Sequence, residues 1–166
     1  MSNEKNETDS YEGGQFLTFR LEEEIFGVPI EIVQEVLDYV PVTRVPGAVT
    51  FLKGVVNLRG AVVPVADIRI KFGMPATVLT ENSCIIVVEI AVTSEEGKII
   101  VGLLADQVLE VAQLSRSDIQ VHPDMGTGIS PRFLRGLGRL DEAFLMMLDV
   151  DSVINDDDIE SIAHPH

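Results

Sequence analysis

Catalysis needs a constellation of side chains, and this 166-residue chain offers few candidates. Its three histidines are His122, His164 and His166, and only His122 lies in the body of the sequence, beside Pro123 in a loop-like stretch. A serine nucleophile needs a histidine base and a sharp elbow, and no Gly-x-Ser-x-Gly string occurs. The single cysteine, Cys84, sits in a run of Val and Ile. It reads as a buried, inert thiol, because reactive cysteines need electropositive surroundings. One cysteine also rules out an intrachain disulfide and a cysteine-based zinc site. No P-loop, dinucleotide fingerprint or His-Glu-x-x-His string is present, and Gly126-Thr127-Gly128 is too short and too close to proline to cradle a phosphate. Asp156-Asp157-Asp158 lacks the alternating ligands and central glycine of a calcium loop, so it reads as a solvated acidic run. The sequence therefore predicts no catalytic residue, no metal site and no cofactor.

Charge narrows the partners. The formal net charge is −15, which argues against nucleic acid or an anionic membrane surface. Residues 1–14 carry −3 and residues 151–166 carry −5, whereas residues 40–75 carry +4 through Arg44, Lys53, Arg59, Arg69 and Lys71 against Asp67. That basic stretch reads either as a solvated face or as a docking surface for an acidic partner. The acidic N-terminus is not a signal peptide, and no apolar run approaches the ~20 residues of a membrane span. A reducing, cytoplasmic location is expected.

The elements that must hold any site are short. Apolar residues make up 46% of the chain while aromatics make up only 5%, so Val, Ile and Leu must build the core, and these favour strands. Residues 1–14 read as a disordered tail ending in the Gly13-Gly14 hinge. Residues 15–21 and 25–30 read as strands joined through Glu22-Glu23-Glu24, the second ending near Pro29 or lying at a sheet edge. Apolar positions 32, 33, 36 and 37 have helical spacing and predict two helical turns over 31–37. Residues 51–58 and 61–68 form a hairpin whose tip, Arg59-Gly60, presents a long cationic side chain. Further strands are predicted at 84–91, 98–105, 107–114, 133–140 and 143–150. Ser115 reads as an N-cap of a short turn, residues 93–97 as a polar turn and 122–131 as a loop. About ten short strands at close spacing predict an all-β protein of small barrels. The second half repeats the character of the first, with a divide near residues 75–82. Two units follow, a first barrel at about 15–79 and a second at about 80–150, with an acidic tail at 156–166. Val33 and Val36 and the Leu58-Arg59-Gly60 tip are natural docking points, though core valines and an ordinary turn also account for them.

The hairpin string is specific. Phe51-Leu52-Lys53-Gly54-Val55-Val56-Asn57-Leu58-Arg59-Gly60, followed by Val62-Val63-Pro64-Val65-Ala66-Asp67-Ile68-Arg69, resembles the signature of CheW-type chemotaxis coupling proteins. Phe16-Leu17-Thr18-Phe19, Phe26-Gly27-Val28-Pro29-Ile30, Val33-Gln34-Glu35-Val36, Gly102-Leu103-Leu104-Ala105-Asp106, Phe133-Leu134-Arg135-Gly136 and Leu148-Asp149-Val150 agree in the same order, over about residues 15–155. The resemblance implies two five-stranded, SH3-like β-barrel subdomains sharing an apolar interface. It also implies a non-catalytic adaptor. Such an adaptor couples the cytoplasmic tip of methyl-accepting chemoreceptors to the regulatory domain of the histidine kinase CheA, in the cytoplasm at membrane-associated receptor arrays. It places receptor binding at Val33, Glu35, Gly54, Asn57, Arg59, Cys84, Val108 and Val111, and kinase binding at Leu17, Ile30, Val33 and Val36. Ala66 and Ile68 depart from the bulkier residue and leucine usual there, and the acidity is not a family hallmark.

Three other readings share this evidence. The same scaffold serves an adaptor of a surface-motility or second-messenger pathway. The chain as a fragment of a larger signalling protein is a second reading, against which Met1 and the two tails point to a complete chain. A small β-barrel ligand carrier or enzyme is the third, and a pocket with perturbed titratable groups would favour it.

Overall fold

The computed structural model describes residues 13–92, 97–120, 128–155 and 158. The N-terminal tail, the turn expected at 93–97 (all but Gly97), most of the 122–131 loop with His122, and most of the C-terminal tail fall outside the described residues. Among the described residues, eleven strands form two sheets, with two four-residue helices. The strands are β1 (Gly13–Leu21), β2 (Glu24–Pro29), β3 (Val33–Asp38), β4 (Leu52–Leu58), β5 (Ala61–Ala66), β6 (Cys84–Val92), β7 (Gly97–Ala105), β8 (Gln107–Ser115), β9 (Ile119–Gln120), β10 (Leu134–Leu140) and β11 (Ala143–Leu148). The helices are α1 (Ile68–Lys71) and α2 (Val150–Val153). The fold is all-β, as the composition requires.

The sheets do not divide where the sequence halves do. One sheet runs β8-β1-β2-β11-β10-β9 and the other β3-β6-β7-β5-β4. Hairpin β1–β2 therefore lies with the C-terminal strands, and hairpin β6–β7 lies with β3–β5. The boundary expected between 79 and 80 is a loop between sequence halves, but it separates no sheet from the other. Exchange of hairpins ties the two units together.

Period-two geometry explains the long apolar runs. Successive side chains on a strand point to opposite faces, and here both faces are covered. Ile86, Val88 and Ile90 enter a central core with Leu17, Phe19, Leu21, Phe26, Leu103, Met146 and Leu148 from both sheets. Ile85, Val87 and Leu104 turn the other way, into a core of the five-stranded sheet with Val56, Val63 and Val65. Phe16, Leu114, Leu145 and Met147 fill the corresponding core of the six-stranded sheet. The shared apolar interface is thus the largest of three cores. Phe19, Phe26 and Phe72 stack in succession through it and Phe133 lies tilted against Phe72, with ring centroids 5.5–6.0 Å apart.

Residues 31–37 are not a two-turn helix. A single 3-10 turn covers Ile30–Ile32, and β3 follows, paired antiparallel with β6. The register shifts between Val33 and Glu35. This bulge reverses the alternation, so apolar positions 33 and 36 fall on one face and mimic helical spacing. β-branched Val and Ile together with a ladder to β6 decide for the strand. Pro29 does end β2, although β2 is interior to its sheet.

Candidate functional site

The five-stranded sheet closes on itself beside Arg59. Thr43 and Val55 form an isolated antiparallel bridge, with N–H···O distances of 2.9 and 2.8 Å, that links the chain after β3 to β4. Gly54 makes this approach possible. A Cβ there would lie 2.3 Å from the Thr43 carbonyl oxygen, and its φ is +157°. The hairpin tip turns through Arg59, whose φ is +51°, and the Asn57 side-chain oxygen accepts the Gly60 N–H at 3.1 Å. Closure brings β3 to the tip, where Arg59 Nη1 donates to Glu35 Oε1 at 2.6 Å. Hydrogen bonding and charge from Glu35 raise the Arg59 pKa further, so the guanidinium is always charged. Arg59 nevertheless remains 77% exposed. One edge of its planar fork stays open to a carboxylate or carbonyl.

The other receptor-list residues lie at the seam between the sheets. Cys84 is partly exposed, opposite Asp38 of β3 and Ala105 of β7. Burial pushes its thiol pKa up, opposed by a hydrogen bond from the Val108 backbone and reinforced by Asp38. Cys84 thus meets Val108. Val111 is 46% exposed on β8, across from Leu17. Directly paired residues share a sheet face. Glu35 therefore sits on the Val87 face of the β3–β6 ladder, and Cys84 on the opposite face. The structure gathers the receptor list into two groups around edge strand β3: Glu35, Gly54, Asn57 and Arg59 at the barrel rim, and Cys84, Val108 and Val111 at the seam. Val33 is half-buried against the central core, on the same face as Val36, which is 41% exposed.

Of the kinase list, Ile30 and Val36 are accessible, and Ile30 also lines a cleft of about 760 Å³ with Pro29, Phe16 and Arg135. Leu17 lies beneath this face. It is 6% exposed within the central core, so it supports the face and offers little of it to a partner.

The basic stretch forms no continuous free surface. Arg69 is 8% exposed and binds Asp106 at 2.8 Å and Glu22 at 3.0 Å. Lys71 lies 2.6 Å from Asp158 and over the Phe51 ring. Arg59 is held by Glu35. A positive sum along the sequence is here mostly internal pairing. The residues missed in the sequence are the partners Glu22, Asp106 and Asp158, together with Thr77, which the buried Asp67 carboxylate holds through its N–H and hydroxyl at 2.9 and 2.8 Å. The only available signal was the presence of acidic residues at turns, and many of the 27 acids share that. Among the described residues, no group of acids, His and Cys is arranged to hold a metal ion, and no helix is long and apolar enough to cross a membrane.

A family model for the CheW-like domain matches residues 15–158. The chain belongs to the CheW-like family. It is similar to the chemotaxis protein CheW of Klebsiella aerogenes, at 33% identity over 93% of this chain and 91% of that one. It is similar to CheW of Rhizobium meliloti at 32%, over 90% and 92%. Among solved structures it matches the scaffolding protein TtCheW of Thermoanaerobacter tengcongensis with a TM-score of 0.76 and 29% identity, covering 88% of this chain and 90% of that one. The two-sheet CheW-like architecture is thus that of a scaffolding protein, and the hairpin string that carried the resemblance is its β4–β5 tip.

Proposed function

We propose that this CheW-like protein is a non-catalytic adaptor in a chemosensory array, joining the cytoplasmic tip of a methyl-accepting chemoreceptor to the regulatory domain of a CheA-type histidine kinase. It works in the cytoplasm and is recruited to membrane-bound receptors. The supporting observation is that Arg59 stands on a fixed turn, oriented by Glu35, with its fork open to solvent. The receptor tip docks as a helix, with Arg59 meeting a carboxylate or carbonyl and Val108 and Val111 offering apolar contact. The kinase domain takes Ile30, Val33 and Val36 along edge strand β3 and the turn before it, with Leu17 beneath them. Each contact is weak alone, and the array supplies strength through multivalency. Receptor state reaches the kinase as a shift in how both engage one small body.

The test compares wild type with Arg59→Glu in binding to a purified receptor-tip fragment and to a kinase regulatory domain. The substitution is expected to weaken receptor binding at least tenfold, to spare kinase binding, and to leave the unfolding midpoint unchanged. Equal receptor binding by both proteins rejects Arg59 as the contact. Binding of neither partner by wild type rejects the adaptor reading.

A further inference from the structure

The loop between α1 and β6 exposes two adjacent apolar side chains, Val78 at 73% and Leu79 at 41%. It has no regular structure that would force them outward. The loop is instead pinned on both sides of the pair. Before it, the Asp67 carboxylate, 3% exposed, holds Thr77 by two hydrogen bonds, and Arg69 Nε donates to the Pro75 carbonyl at 2.9 Å. After it, the Thr80 N–H donates to Ser83 Oγ at 2.9 Å, the Ser83 N–H to the Thr80 carbonyl at 3.1 Å, and the Asn82 N–H to Thr80 Oγ1 at 3.1 Å. Ser83 is 2% exposed, and its carbonyl accepts the Tyr39 N–H at 3.0 Å. Val78 and Leu79 are therefore exposed in an already ordered loop, and a partner binding them loses little further conformational freedom.

Position and charge indicate the occupant. The loop leads into Cys84, whose thiol donates to the Asn82 carbonyl at 3.4 Å, so its C-terminal end abuts the seam group of receptor-list residues. The one charged residue in the loop is Glu81, and Asp38 stands opposite Cys84 on β3. A net charge of −15 disfavours a second copy of this chain at such a site.

We propose that Val78 and Leu79 form a pre-ordered hook that extends the receptor-docking surface, taking the apolar face of an amphipathic helix flanked by Lys or Arg; this rests on the adaptor reading above. The test titrates a chemoreceptor-tip fragment, and separately a kinase regulatory domain, into wild type, the double variant Val78→Ser/Leu79→Ser, and Glu81→Lys. The double variant is expected to bind the receptor fragment about fivefold or more weakly, as loss of two apolar anchors implies. Glu81→Lys is expected to bind it more weakly as well, and both variants are expected to keep the wild-type unfolding midpoint. Receptor affinity equal to wild type in the double variant overturns the hook and leaves the adaptor reading standing. A loss confined to the kinase domain overturns the assignment to the receptor. Failure of wild type to bind the receptor fragment removes the hook together with the reading beneath it.

Discussion

Hairpin β4–β5 with α1 and hairpin β10–β11 with α2 share one architecture down to the register. Leu52 pairs with Ala66 and Gly54 with Val65, across a bulge. Leu134 pairs with Leu148 and Gly136 with Met147, across the same bulge. The Asp67 N–H donates to the Phe51 carbonyl at 2.7 Å, and the Asp149 N–H to the Phe133 carbonyl at 2.9 Å. Each tip carries one residue at positive φ, Arg59 at +51° and Asp141 at +56°. The second strand of each hairpin, β5 or β11, runs parallel to a strand of the exchanged hairpin, at Gly102 of β7 or Gly27 of β2. What differs is the chemistry placed on this common frame. The first tip carries a cation steered by Glu35, the second Asp141. Two residues beyond each helix-capping aspartate, the first unit has Arg69, buried between two carboxylates, and the second has Asp151. Partial burial and the charge of Asp149 push the Asp151 carboxyl pKa up. The frame is set by strand pairing, so tip residues and post-cap residues are free to diverge toward docking or toward bracing.

Substitutions at matched positions test this contrast. The largest effect is expected at Arg69. Arg69→Ala leaves the Asp106 carboxylate without its guanidinium, and one oxygen of that group, Oδ1, is buried and without a hydrogen-bond partner. Losing one partner of a largely buried ion pair costs about 3–5 kcal/mol, measured by urea unfolding at pH 7. Glu22 is 41% exposed, so the lower end of that range is expected. Arg69→Lys keeps the charge but cannot contact both carboxylates in the same way, and should fall between.

Next come the paired glycines. At Gly54 a Cβ clashes with backbone 2.3 Å away in a conformation that L residues disfavour, and at Gly136 it lies 2.6 Å from the Gln120 carbonyl. Gly54→Ala is expected to destabilise by about 2–4 kcal/mol and Gly136→Ala by less, because only the first adds backbone strain to the clash. Equal losses would show that strain at Gly54 contributes nothing.

The smallest effect is at Asp151. Its folded pKa is raised, so the folded state binds its proton more tightly than the unfolded state. Its contribution therefore disfavours folding at neutral pH, and this penalty disappears as pH falls through the folded pKa. Asp151→Asn should unfold at slightly higher temperature than wild type at pH 7, with the difference closing in acid. A lower midpoint at pH 7 would contradict the sign.

Much of this was legible in the residues. Period-two apolar runs, turns at Glu22 and Arg59-Gly60, and the Ser115 turn all rest on local rules. At that turn the Ser115 N–H and hydroxyl both donate to Asp118, which lowers that carboxyl pKa. The misreading at 31–37 came from a bulge, which shifts phase without changing composition. The two-residue β9 is too short to leave a pattern.

By itself the sequence determined an all-β chain with the Gly-Val-Val-Asn-Leu-Arg-Gly hairpin, because strand alternation and turn chemistry are carried by neighbours a few residues apart. Only the tertiary structure decided the rest. It placed hairpins β1–β2 and β6–β7 in each other's halves, buried Leu17, and closed Glu35 on Arg59 and Asp106 on Arg69. It also left Val78 and Leu79 in solvent. The two ion pairs span 24 and 37 residues, and the pairing of Ile25 with Leu145 spans far more; such partners are chosen by how the sheets pack, and no local pattern records that choice.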